Sequence, residues 1–267
     1  MCRTCSEETD IAGGAIAAGP RSGKRANAYG CPEEFAPGAG RATVPGSEPV
    51  PWGRLRVIPH VIVIDDFLRD PQIVRQRALE LTYRVEGRYP GLNSVEKINI
   101  EGLERTVSQL VYEPVRAPWT RDFSHGSCRV SLASDEDKPA RIHIDQSHWS
   151  GILFLSRPED CRGGTEFYRH LPTNTDHLPL TPEALQETGY SSYEELRAQI
   201  LDKDAHDRSK WELTMTVPMR FNRLILLQPQ YWHTAGPSFG DSLENGRLVY
   251  LMFFLRGAAT NGAQTQA

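Results

Sequence analysis

From about Phe123 onward the chain reads with a period of two, apolar positions alternating with polar ones. The stretches that carry it are SCRVSLAS (127–134), RIHID (141–145), WSGILFLS (149–156), GTEFYRH (164–170), WELTMTV (211–217), NRLILLQ (222–228) and GRLVYLMFFLR (246–256). Successive side chains of a strand face opposite ways, so such runs bounded by turn residues read as short strands. Upstream, VIPHVIVIDDFL (57–68) is a strand of β-branched residues ending in a turn. Asp70-Pro71 then supplies an N-cap and a proline in the first helical turn. Val74, Ala78, Leu81 and Val85 follow on one helical face, which Gly87 closes. A second amphipathic helix carries Leu103, Val107, Leu110 and Val111, and both helices are expected on the outside of the sheet.

Between GTEFYRH and WELTMTV lies an insert, about 172–210, with helix starts at Thr181-Pro182-Glu183 and at Ser191-Ser192-Tyr193-Glu194-Glu195. The second is a capping box, and Leu196 and Ile200 are the apolar residues of its helix. Many short strands behind helices predict an α+β, mostly β fold. The form expected is a double-stranded β-helix (jelly roll) with supporting N-terminal helices and a helical insert. Arg162-Gly163-Gly164 reads as a hairpin turn joining WSGILFLS to TEFYRH, and Tyr89-Pro90-Gly91 as a turn; bordering a substrate entrance is the rival reading of the latter, but turn chemistry alone explains it.

Composition narrows this picture. Residues 1–50 are rich in Gly, Ala, Pro and Ser without apolar periodicity and are expected to be a disordered tail, as are 258–267. One domain over 51–257 suits the 267-residue length, and 39% apolar residues suffice for a core. A net charge of −4, with no Lys/Arg runs near the motifs, argues for no nucleic acid and no membrane surface as partner. No stretch approaches the roughly eighteen apolar residues of a membrane span. Glu7, Glu8 and Asp10 stand where a secretory signal would be apolar. Five cysteines, an odd number, make no disulfide framework, and the expected setting is the reducing cytoplasm. Cys2-x-x-Cys5 and Cys31 lack a visible fourth zinc ligand and are read as incidental.

The chemistry centres on RIHIDQSHWSGILFLS (141–156), which turns from alternating to continuously apolar, as a strand does on passing from a site into a core. His143 and Asp145, two apart, share a face with Ile144 opposite. A second histidine, His233 in YWHTAGPSFGDSLENGRLVYLMFF (231–254), would complete a two-His-one-carboxylate face that leaves iron(II) three open positions. Two histidines are too few for a closed structural zinc site. His148, five residues past His143, falls on the opposite face and is left out of the ligand set.

The order His143-x-Asp145, a long gap, His233, then Arg247 resembles the iron(II)/2-oxoglutarate-dependent oxygenases, and most nearly their prolyl-4-hydroxylase-like branch. The resemblance covers roughly 57–256 and includes VIDDFLRDPQIVRQRAL (63–79) and CRGGTEFYRH (161–170). It implies Fe(II) on His143, Asp145 and His233, 2-oxoglutarate as cosubstrate, and O2, with release of succinate and carbon dioxide. Arg247 would pair with the far carboxylate of 2-oxoglutarate through its planar fork, with Arg223, which also opens a strand, as the competitor. Retention of a carboxylate at Asp145 implies hydroxylation rather than halogenation, since halogenating members have a small residue there. The stretch ASDEDKPARIHID (133–145) departs from the branch in lacking the tyrosine that often contacts 2-oxoglutarate.

Gln146, Trp149, Tyr168 and Arg169 are candidates for a substrate pocket, with core or hairpin packing as the rival reading of each. The expected substrate is a small molecule or peptide whose identity the fold does not dictate. The expected activity is a dioxygenase hydroxylating an unactivated C–H. A desaturase or epimerase with the same cofactors, or a jelly-roll scaffold without catalysis, are the alternatives.

Overall fold

The computed structural model describes residues 60–87, 89–137 and 141–258. The expectations for 1–50, for 259–267 and for Cys2, Cys5 and Cys31 lie outside the described residues. In chain order the elements are β1 (Val61–Ile64), α1 (Pro71–Leu79), β2 (Tyr83–Glu86), β3 (Leu92–Lys97), α2 (Leu103–Leu110), β4 (Val115–Arg116), β5 (Ser127–Ser131), β6 (Trp149–Phe154) and β7 (Gly164–His170). The insert follows with α3 (Pro182–Glu187) and α4 (Tyr193–Arg197), the latter continued by a π-helical stretch, Ala198–Lys203. Then come β8 (Trp211–Pro218), β9 (Leu224–Leu227), β10 (His233–Ala235) and β11 (Arg247–Arg256). Among the described residues no helix is long and apolar enough to cross a membrane.

The fold is mostly β, in two antiparallel sheets. The larger runs β1-β9-β6-β11-β5-β3-β2, with β4 pairing the end of β11, and the smaller runs β10-β7-β8. β11 lies between β6 and β5, and its alternation sorts two environments. Leu248, Tyr250, Met252 and Phe254 join the core that Ala78 of α1 and Leu103 and Val107 of α2 complete. Arg247, Val249, Leu251 and Phe253 point the other way, into a cavity. Each fully buried apolar side chain of that helix-side core contributes about 1.5–3 kcal/mol, which is what seats two short helices on the sheet.

A second cluster fills the space between the sheets, with Phe154, Ile225 and Leu227 of the larger sheet against Phe167 and Val217 of the smaller. The third holds the insert down: Leu196 and Ile200 pack on Ile142, Trp211 and Trp232. The α4 start is a capping box with a variation. Ser192 Oγ accepts from Glu195 N at 3.1 Å, but the Glu195 carboxylate reaches back to Ser191 N, one residue further out than usual.

Four expectations need correction. The α1 helix ends at Leu79, and Val85, expected on its apolar face, lies exposed on β2. Here the period-two run Tyr83-x-Val85 wins, because β2 can pair with β3 and Tyr83 can donate its hydroxyl to the carbonyl of Ala78 in the last turn of α1. RIHID forms no regular strand; only His143 makes a bridge, to His233. The Gly163-Gly164 turn is not a hairpin, because β6 and β7 belong to different sheets. It carries the chain between layers: Gly163 has φ +60°, and a Cβ on Gly164 would lie 1.9 Å from Val217 O. The pairs β2–β3 and β4–β11, and the short β10, were not among the expected strands.

Candidate metal centre

His143 and His233 exchange backbone hydrogen bonds of 2.9 and 3.1 Å across their bridge, which lays their rings side by side with centroids 4.4 Å apart. Each ring is fixed by the carbonyl two residues before it. His143 Nδ1 lies 2.9 Å from Arg141 O, and His233 Nδ1 lies 2.7 Å from Tyr231 O. A carbonyl only accepts, so each Nδ1 carries the proton and each Nε2 presents a lone pair. Those two Nε2 atoms face Asp145, at 3.6 Å from Oδ1 and 3.5 Å from Oδ2. Asp145 is held in turn by Ser150, whose hydroxyl donates to Oδ2 at 2.6 Å.

The three ligand atoms lie within 4.8 Å of one another. Two lone pairs and a carboxylate meeting in a part-buried site repel unless a cation joins them, and a borderline first-row divalent ion suits this donor set. The titration behaviour agrees. Burial, reinforced by His233, pushes His143 down to about 4, so its imidazole is neutral near pH 7. Burial alone would raise Asp145, but the neighbouring His233 and His143 and the Ser150 hydroxyl outweigh it and hold the carboxyl below its usual range.

The group opens on a cavity of about 430 Å³ that runs along the inward face of β11 to Arg247. Arg247 is 3% exposed, its Nε has no hydrogen-bond partner among the described residues, and its guanidinium carbon lies 6.0 Å over the Phe154 ring. Burial, then the charge of Arg129, lowers it to about 10, so it remains a cation at neutral pH. Arg223 is not in this cavity; it is bound to Asp65 at the far end of β9.

The four substrate-pocket candidates divide. Gln146 lines a smaller cavity of about 150 Å³ outside the metal group, together with Arg141 and the insert residues Arg197, Leu201 and Asp202. Trp149 faces the helix-side core, where its indole N–H donates to Glu113, because alternation on β6 turns Ser150 and Ile152 toward the cavity instead. Tyr168 packs under the insert, bonded to Glu166 and Arg208, and Arg169 is exposed beside Glu212. On β7 it is Phe167 that faces His233.

Ser150 and Arg129 were not anticipated at the site, and Tyr89 only through the rival reading of its turn as a border of the substrate entrance. Ser150 sits where an apolar run gives no hint of it. Tyr89 has its ring 4.3 Å from His143. Arg129 is 9% exposed and binds carbonyls of the same turn, although alternation in SCRVSLAS marks it as merely facing away from the helix-side core.

The family model described as "Family of unknown function (DUF6445)" matches residues 55–254. The chain belongs to this family. No curated protein matches the sequence. Among solved structures the family member described here is similar to HygX from Streptomyces hygroscopicus, crystallised with nickel, 2-oxoglutarate and hygromycin B bound. The identity is 12% over 74% of this chain and 84% of that one, with a TM-score of 0.42. It is also similar to SnoK, a non-heme alpha ketoglutarate dependent carbocyclase from nogalamycin biosynthesis, at 13% identity over 77% of this chain and 85% of that one, with a TM-score of 0.43.

Proposed function

We propose that this chain is an iron(II)- and 2-oxoglutarate-dependent dioxygenase of the prolyl-4-hydroxylase-like branch, hydroxylating an unactivated C–H of an amino acid, peptide or other small metabolite. One observation carries the reading: His143, Asp145 and His233 converge in the same cavity as a buried arginine whose Nε has no hydrogen-bond partner among the described residues. A buried cation with an unpartnered N–H is costly, and the carboxylate of a ligand is the partner that relieves it. The jelly-roll reading is supported by the strand order, β5-β11-β6-β9 in one layer facing the His143 bridge, β10, β7 and β8 in the other.

In this reading His143 and His233 give neutral Nε2 donors and Asp145 a carboxylate, and Ser150 fixes the rotamer of Asp145. Iron(II), 2-oxoglutarate and dioxygen bound there supply oxidation of an unactivated C–H, with release of succinate and carbon dioxide. Arg247 takes the far carboxylate of the cosubstrate. Val249, Leu251 and Ile152 give the cavity an apolar wall that keeps water from the reacting centre. The insert is assigned as a lid over the substrate, because Arg197 and Leu201 reach the smaller cavity beside His143. Deletion of 175–208 should abolish substrate oxidation yet leave 2-oxoglutarate binding; unchanged product formation would sink the lid.

Anaerobic titration with iron(II) and 2-oxoglutarate tests the whole reading. A weak visible metal-to-ligand charge-transfer band is expected in the wild type, absent in His143→Ala and weakened in Arg247→Ala. No band in folded, metal-loaded wild type overturns it.

A further inference from the structure

The Arg129 guanidinium is the most heavily bonded side chain around the cavity, and none of its partners is an acid. Nε donates to Pro90 O at 3.0 Å, Nη1 to Asn93 Oδ1 at 2.7 Å, and Nη2 to Pro90 O at 2.5 Å, to Gly91 O at 3.3 Å and to Tyr89 O. One arginine thus gathers three successive carbonyls of one turn. Its position on β5, opposite Val249 of β11, also puts it close enough to Arg247 to lower that residue's basicity by repulsion. Burying a cation near another cation, with hydrogen bonds to neutral acceptors alone and Asp135 acting on it only through its charge, is a poor way to stabilise a fold. Its local consequence is specific.

That consequence is the seat of Tyr89. The turn is pressed onto β5 so closely that a Cβ on Gly91 would lie 2.1 Å from Val130 O, and Gly91 takes φ +85° to allow it. With the turn in that place, the Tyr89 ring packs 4.3 Å from the His143 ring, on which His233 also packs at 4.4 Å. The imidazole is therefore walled by Tyr89 and His233 and pinned at Nδ1 by Arg141 O. Tyr89 and His143 also line both cavities, the inner one of about 430 Å³ and the outer one of about 150 Å³.

We infer that Arg129 is a positioning residue for the metal centre: by clamping the carbonyls of Tyr89, Pro90 and Gly91 it seats Tyr89 against His143, and it acts on the metal through that ring alone. The inference rests on the metal-binding part of the proposed function. It extends the usual requirement that a ligating imidazole be held by its surroundings from hydrogen bonds to a packed ring face.

The test is a double-mutant cycle read with cobalt(II), whose visible d–d absorption reports both affinity and ligand geometry without turnover. The full-length wild type, Arg129→Lys, Tyr89→Ala and the double variant are titrated anaerobically with cobalt(II), and the unfolding of each apoprotein is followed separately. Arg129→Lys keeps the charge but cannot span three carbonyls. Each single variant is expected to bind cobalt(II) about 10–100-fold more weakly, with altered d–d bands, as loss of a supporting group does at other metal sites. The double variant is expected to bind no more weakly than Tyr89→Ala. Wild-type affinity and bands in Arg129→Lys overturn the inference, as does a double variant whose loss is the product of the two single losses. Should Arg129→Lys fail to fold, Gly91→Val, which pushes the turn off β5 without touching the guanidinium, takes its place with the same expectations. A wild type that binds no cobalt(II) fails the proposed function itself, a result separate from any difference among the variants.

Discussion

His143 and His233 are paired by their backbones before any metal is considered, with reciprocal N–H···O bonds of 2.9 and 3.1 Å. A bridge of this kind holds opposed Cβ atoms about 4.5–5.5 Å apart, so the spacing of the two imidazoles is set by sheet geometry rather than by side-chain rotamers. Asp145 needs more help, since beyond its own N–H bond to Pro229 O it is not part of a strand.

That help comes from Ser150. Removing the hydroxyl in Ser150→Ala frees the Asp145 carboxylate to rotate and is expected to weaken metal binding about 10–100-fold, with little change in the unfolding midpoint of the apoprotein. Isothermal titration with manganese(II) or cobalt(II) checks it. Wild-type affinity would show that the bond is incidental.

On the proposed reading, Arg247 gives up stability in the apoprotein for a contact to the cosubstrate. Replacing its buried, partly unpartnered guanidinium with an apolar chain of similar reach, Arg247→Met, is expected to raise the apo melting temperature by about 3 °C while abolishing 2-oxoglutarate binding. A drop in melting temperature of the size seen for a truncated core residue would mean that Arg247 is structural.

The apoprotein should lose stability on mild acidification. His143 titrates at about 4 when folded and near 6.5 when unfolded, so between those values the unfolded chain binds the extra proton. Stability that is full above pH 6.5 therefore falls as pH drops toward 4, by a total on the order of 3 kcal/mol. Asp145, depressed in the fold, adds a further loss only below its unfolded value of 3.8. Urea unfolding of metal-free protein from pH 7 to 4 measures the slope, and His143→Gln should flatten it.

Gly164 opens β7 where that strand presses close against β8 in the smaller sheet. Gly164→Ala places a Cβ against Val217 O and is expected to destabilise by about 3 kcal/mol, with the disturbance passing to β10 through the Gly236 N–H bond to Gly164 O at 2.7 Å. Chemical denaturation decides this; a loss below 0.5 kcal/mol would mean the strands can part without penalty.

Much of this was legible from the chain because period-two alternation and ligand order survive folding unchanged. β5, β6, β7, β8, β9 and β11 formed where alternation placed them, and His143, Asp145 and His233 met across a gap of ninety residues because β10 and the 143 bridge are neighbours in space. Facing is set by the whole sheet and was harder to read: Trp149 turns into the helix-side core, Tyr168 packs under the insert and Arg169 is exposed beside Glu212, past a register shift at Phe167/Tyr168. Val85 failed for a related reason, since a spacing that fits both a helix and a strand is decided by the partner strand β3. The turn of Tyr89 could be suspected of bordering the entrance, but its clamp by Arg129 was out of reach: a turn held by a distant arginine leaves no local pattern.

β11 carries the helix-side core on one set of positions and the cavity wall, from Arg247 to Phe253, on the other. Gain or loss of a single residue there would swap the two sets, sending a guanidinium into the apolar core and Tyr250 into the cavity. Gain or loss of two would restore the facing but slide Arg247 by about 7 Å along the strand, beyond the reach of a ligand of fixed length. This strand is thus open to substitution but closed to insertion and deletion of any small size.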